Sequence, residues 1–209
     1  VDTARRLVST AERLFAERGI YAVSLREISR ESGARNAIAT QYHFKDRQGV
    51  VAAIRAKHEP AIEVARLELL ADYVQSGGDI RDLAGALVRP LAAKLTDPDG
   101  GPDYLQVYAQ VAEWDPAQDE PSPSLTKWRA LVDPLLERDA ARLHRRYTAV
   151  LHTATELGRR ARSGPHTDDR LFTAYLVDVV TAILSFPVSD ETKQLADERD
   201  RVRGRKSRD

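Results

Sequence analysis

The chain has 209 residues, 42% hydrophobic and 31% charged, which is enough to bury one large or two small cores and too apolar for wholesale disorder. Lys+Arg and Asp+Glu each total 32, so net charge names no partner; the absence of cysteine excludes disulfides, thiolate catalysis and Cys-based metal sites, and suits the cytoplasm. No apolar run of about 18 residues marks a membrane span, no signal peptide is visible in V-D-T-A-R-R, and with Met absent throughout, residues upstream of Val1 are expected.

Charge is nevertheless uneven along the chain. Through Lys57, eleven Lys/Arg face six Asp/Glu, a local excess that suits an anionic partner. Helical periodicity runs nearly throughout, with no alternating strand and no internal repeat. A first helix is expected over residues 3–18, with Ala4, Leu7, Ala11, Leu14 and Phe15 on one apolar face and Gly19 as its stop. Ser24 and Glu27 form a capping box at the head of a second helix, residues 25–32, which buries Leu25 and Ile28. Gly33 breaks it. Asn36 is expected to cap a third helix, residues 37–43, and Asp46 a fourth.

Three short helices with a glycine in the second turn make a helix-turn-helix unit. Its third helix lies in G-A-R-N-A-I-A-T-Q-Y-H-F-K-D-R, residues 33–47. Thr and Gln there can hydrogen-bond base edges, and Tyr, Lys and Arg can bind phosphates. Ile38, Ala39 and Phe44 read as structural.

The fourth helix is expected to kink, or to break and restart, at Pro60. Asp79 caps the next helix, which is interrupted at Pro90. A short helix over residues 104–114 follows, then a loop with three prolines. Ser124 is expected to cap a helix containing Trp128, Leu131 and Pro134. A long helix over 139–162 ends at Ser163-Gly164-Pro165, and Thr167 or Asp168 caps an almost continuously apolar helix over 169–186. A helix apolar on most sides must be covered on most sides. A last short helix over 189–200 precedes R-V-R-G-R-K-S-R, read as a solvated tail.

With the capped helix, the turn glycine and Y-H-F-K-D-R in order, the chain resembles the TetR family of bacterial transcriptional regulators. The matching stretches are A-E-R-L-F-A-E-R-G at 11–19, S-L-R-E-I-S-R-E-S-G at 24–33 and Y-H-F-K-D-R-Q-G-V at 42–50. The resemblance covers about the first 55 residues; the remainder is similar in helical character alone. The spacing from Gly33 to Tyr42 is one residue longer than the commonest pattern, and Gln41 stands where a Tyr or another large residue is usual. The register of base contacts is therefore open by about one position.

The resemblance implies an all-α fold: an N-terminal three-helix DNA-binding domain (residues 1–50), a larger helical ligand-binding and dimerisation domain (51–200) and a basic tail (201–209). It implies that Ser24 and Arg26 approach the DNA backbone or a guanine, and that Asn36, Ala37, Thr40 and Gln41 face the major groove. Tyr42, His43, Lys45 and Arg47 would hold phosphates beside the positive end of the fourth helix, and Arg35 completes the set. Side-chain chemistry agrees: Arg26 suits a bidentate guanine contact, Gln41 an adenine, Ala37 a thymine methyl. The plain alternatives are Tyr42 and Phe44 as core, His43 as a helix cap, and Arg35 and Asn36 as turn residues.

A single helix-turn-helix contacts few base pairs, so a homodimer on a palindromic double-stranded operator is expected. Phe172, Leu176, Val179, Val180 and Ile183 on the apolar helix are the candidate partner surface, in a four-helix bundle with the helix before it. The resemblance further implies a small organic effector that releases a repressor from its operator. Tyr104, Tyr108, Trp114, Trp128, Tyr147 and Tyr175 are the candidate pocket aromatics. No cofactor or metal is expected, since His144 and His152 lie about 12 Å apart by helix rise. The competing classes are a helical ligand-binding or scaffold protein that does not bind DNA, and an all-helical enzyme. The latter has no glycine-rich phosphate loop, nucleophile elbow or H-E-x-x-H, and its acid/base groups reduce to Glu113, Asp115 and the His144 face.

Overall fold

The computed structural model describes residues 2–36, 38–112 and 122–206. Among these residues there are eleven α-helices, two short 3-10 turns and no strand. The first three helices are α1 (Asp2–Arg18), α2 (Leu25–Glu31) and α3 (Ala39–Phe44). Leu7, Ala11, Leu14 and Phe15 bury the inner face of α1, as their helical spacing requires. Ser24 caps α2, its hydroxyl accepting the Glu27 amide at 3.2 Å. After α2 the chain turns through Gly33, whose φ of 67° lies where only glycine is unstrained, and the Ala34 amide returns to the Ser29 carbonyl at 3.1 Å.

The third helix starts two residues later than expected. Asn36 does not cap it; its side-chain oxygen accepts the Ile38 amide at 3.0 Å and closes a turn just before the helix. Ile38 takes the cap position with no side-chain bond to offer.

The fourth helix, α4 (Arg47–Ser76), is capped by Asp46, whose carboxylate accepts the Gly49 amide at 2.8 Å. It runs 30 residues through Pro60 without the expected break. The reason is packing. Val50, Ile54, His58, Ile62, Arg66 and Leu70 are buried at four-residue intervals on both sides of the proline, whose ring is exposed. Burial of that stripe outweighs the penalty of about 3 kcal/mol for an interior proline. The domain boundary expected at residue 50 thus falls within the first turn of a continuous helix.

Helix α5 (Ile80–Ala92) carries Pro90 in its last turn and tightens into a 3-10 turn over Ala93–Thr96. Then come α6 (Gly101–Ala112) and α7 (Pro123–Val132). Ser122, followed by Pro123 in the first helical position, caps α7 in place of Ser124. Pro134 lies in a 3-10 turn beyond it, Asp133–Leu135. The helix expected over 139–162 is two, α8 (Arg138–Arg142) and α9 (Arg145–Arg162), divided where His144 adopts φ 57°. Helix α10 (Arg170–Ser185) has Asp169 at its cap position, while Asp168 accepts the Arg170 amide at 2.8 Å. The last helix, α11 (Asp190–Lys206), continues through most of the segment expected to be a tail.

The long α4 joins the two halves. Its first turns pack with α1 and α3, and its later turns with α5 and α7. Helix α6 lies between α1 and α9, and α10 packs on α5 and α9. Trp128 of α7 is fully buried, its indole N–H donating to the Leu83 carbonyl at 2.8 Å. No single helix among the described residues is long and apolar enough to cross a membrane.

Candidate nucleic-acid interface

Six residues of α3 divide by side. Ala39 and Thr40 are buried and Phe44 packs against the core, while Gln41, Tyr42 and His43 are exposed. Adding the flanks, Ile38, Gln41, Tyr42 and Lys45 recur at intervals of three and four residues and form one outward row. Tyr42 is 82% exposed and Ile38 48%. Lys45 ends the helix with φ 67°, and Gly49 of α4 approaches so closely that a Cβ there would meet the Phe44 carbonyl oxygen at 2.0 Å. That approach sets where α3 stops against α4.

Two expected contacts are corrected by this geometry. Thr40 does not face outward: it has no exposed surface, and its hydroxyl lies 2.8 Å from that of Ser29 on α2. With α3 beginning at Ala39, the helical turn that aims Gln41 outward aims Thr40 inward. Arg47 is half-buried, donates to the Val23 carbonyl at 3.0 Å, and stacks over Tyr21 at 5.6 Å. It ties the α1–α2 connection to α4, and its Nε is buried without a partner among the described residues. Ala37 lies outside the described residues.

Ser24, Arg26, Arg35, Asn36, Gln41, Tyr42, His43 and Lys45 are all exposed, at the start of α2, in the turn and along α3. Ile38 is the residue that sequence reasoning left out, having read it as structural. Its spacing from Gln41, Tyr42 and Lys45 was the signal that could have found it.

The charges sort in the same way. Arg18 and Arg30 are neutralised by Glu27 at 2.6 and 3.7 Å. The Arg18 hydrogen bond holds the Glu27 carboxyl below its ordinary pKa, assisted by the Ser24 amide. Arg26, Arg35 and Lys45 have no acidic partner among the described residues. Uncompensated cations flank an exposed row containing an amide and a phenol, which is the chemistry of phosphate and base-edge contact.

This head is clamped to the helical domain. The Gln110 side chain on α6 accepts the Ile20 amide at 2.9 Å and donates to the Phe15 carbonyl at 3.2 Å. Deeper in, buried His58 of α4 lies 2.6 Å from Glu12 of α1 and stacks on Tyr104 of α6, ring centroids 4.5 Å apart. Lys57 donates to the same Glu12 at 2.7 Å. Burial pushes the Lys57 ammonium down, but its bonds to Glu12 and Asp99 more than reverse this and leave its pKa raised.

The six aromatics expected to line a pocket do not converge. Tyr104 is buried with Tyr108 beside it at 5.8 Å, and its hydroxyl has no partner among the described residues; burial pushes that hydroxyl's pKa well up. Trp128 spends its polar handle on the core, Tyr147 lies at the surface with its hydroxyl 3.4 Å from the Ala112 carbonyl, and Tyr175 is 66% exposed on α10. Trp114, like Glu113 and Asp115, falls outside the described residues. Two of the five residues expected to form a partner surface on α10 are corrected too. Leu176 and Val180 are buried in the chain's own core because α10 packs on α5 and α9, and Phe172, Val179 and Ile183 are half-buried. The exposed apolar side chains are Leu171, Tyr175 and, just past the helix, Phe186.

An all-helical fold with a short outward helix flanked by unpaired cations has the architecture of a helix-turn-helix DNA-binding protein. Residues 7–54 match the family model described as bacterial regulatory proteins, tetR family. The chain therefore carries at its N-terminus a DNA-binding domain of the type found in tetR-family transcriptional regulators. No curated protein matches it.

Proposed function

We propose that the chain is a ligand-responsive repressor that reads its operator with the outward row of α3. The observation that carries this is the exposed row Ile38, Gln41, Tyr42 and Lys45 beside the unpaired Arg26 and Arg35. Gln41 reads a base edge, Ile38 takes a thymine methyl, and Arg26 reaches a guanine or the backbone. Tyr42, His43 and Lys45 hold phosphates, with Ser24, Arg35 and Asn36 at the rim. Two copies pair through the apolar side of α10 at Leu171 and Tyr175, so that two half-sites are read together. The effector reading draws on the orphaned Tyr104 hydroxyl beside Tyr108, a polar handle against aromatic walls. Tyr104 also stacks on His58, so a ligand there would press on the clamp that holds α1.

Binding-site selection from random duplexes, followed by titration of the recovered site, tests this. A palindromic site is expected, with affinity falling steeply as salt rises because phosphate contacts release counterions. Gln41→Ala should change base preference at one position of each half-site. Lys45→Ala should weaken all duplexes alike and make the salt dependence shallower by about one ion. Identical effects of the two substitutions would overturn the division between reading and holding residues.

A further inference from the structure

Helix α3 is six residues long and its own cap position holds Ile38, which has no side-chain oxygen. A helix this short is marginal without help at its first turn, where backbone amides have no partner within the helix. The partner comes from another helix. Ser29, buried on α2, accepts the Thr40 amide in the first turn of α3 at 3.0 Å. The same oxygen lies 2.8 Å from the Thr40 hydroxyl and 3.2 Å from the Leu25 carbonyl.

The proton assignment follows from the groups present. The Leu25 carbonyl can only accept, so Ser29 donates its one proton there. Its two lone pairs then take the Thr40 amide and the Thr40 hydroxyl. Every hydrogen-bonding capacity of the Ser29 hydroxyl is used in a site closed to water. The Ser29 carbonyl meanwhile accepts the Ala34 amide at 3.1 Å and the Ser32 hydroxyl at 2.8 Å, so one residue holds both the turn and the helix beyond it.

We infer that Ser29, through Thr40, is a specificity-determining positioning residue: it caps α3 from outside and fixes the rotation at which Gln41 and Ile38 face DNA, without touching DNA itself. Thr40 and Gln41 are adjacent, so the direction of one side chain sets that of the other. A slip of one residue that put Gln41 in the slot of Thr40 would turn Gln41 inward, away from DNA. This inference rests on the reading that α3 enters the groove.

The test compares affinity for the selected operator with affinity for a scrambled duplex of equal length, by fluorescence anisotropy at one salt concentration, well below the thermal midpoint of each variant. Ser29→Ala removes the acceptor of two bonds; Thr40→Val removes the hydroxyl and keeps the shape and the amide bond; Thr40→Ser keeps the hydroxyl. Ser29→Ala and Thr40→Val are expected to lower the operator-to-scrambled ratio about tenfold and about threefold respectively, with scrambled binding unchanged within about twofold, and Thr40→Ser should retain the wild-type ratio. A lower thermal midpoint with an unchanged ratio would show a structural role alone and overturn the inference. Should Ser29→Ala not fold, Thr40→Val decides by the same ratio. If the wild-type protein itself shows no ratio above one, the reading of α3 falls and takes this inference with it; a large wild-type ratio kept by both variants removes this inference only.

Discussion

Burial decides what a residue in this protein can do. Thr40 and Gln41 have similar base-reading chemistry, yet one is closed off by Ser29 and the other stands in solvent. The same holds for Ser124, which sequence pattern makes a helix cap. In the structure it is buried, donating its amide to Glu63 at 2.9 Å and its hydroxyl at 2.6 Å, while accepting from the equally buried Arg66 at 2.9 Å. Burial pushes the Glu63 carboxyl up, but the Ser122 and Ser124 hydroxyls, the Ser124 amide and the Arg66 charge outweigh it, so the net pKa is lowered. A carboxyl with a lowered folded-state value stabilises the fold when ionised, and that stability is lost as pH falls through the folded-state value. Glu63→Gln should therefore cost about 1–3 kcal/mol at neutral pH. In thermal melts the gap to wild type should hold steady above about pH 5 and close below about pH 4. A gap that persists at low pH would mean the loss is steric.

Among the elements, proline was the least dependable sign. Pro60 was expected to interrupt α4 and does not, because a break would expose a stripe buried on both sides of it. Proline there still removes one backbone donor and crowds the preceding turn. Pro60→Ala should accordingly raise stability by about 1–3 kcal/mol, seen as a higher midpoint in urea with an unchanged slope. A loss of stability would show that the proline ring packs usefully despite its exposure. Caps were more legible: Ser24, Asp46 and Asp79 occupy the positions their patterns indicate. They act over three residues, whereas the fate of a proline depends on what the whole helix buries.

At the scale of the whole molecule, α6 is the bridge. It grips the end of α1 through Gln110, stacks Tyr104 on His58 of α4, and packs on α9. Helix α10 completes that inner layer and turns an exposed side outward, with Leu171 82% and Tyr175 66% exposed. Large apolar side chains grouped in this way call for a partner. If a second copy supplies it, Leu171→Glu with Tyr175→Glu should yield a monomer in sedimentation equilibrium and weaken operator binding at least tenfold, because half-site contacts no longer add. A variant that remains dimeric would move the interface away from α10.

The helical character of the chain, the turn at Gly33 and the caps at Ser24, Asp46 and Asp79 could be read from the chain alone, since each depends on neighbours within one or two turns. Which side of α10 is core could not, because that is set by α5 and α9, distant in sequence. Nor could the inward direction of Arg47, the clamp made by Gln110, or the burial of Thr40 be read in this way. The sequence determined that a short polar helix would follow Gly33. Only the tertiary structure decided its face, because the oxygen that caps α3 belongs to Ser29 on another helix.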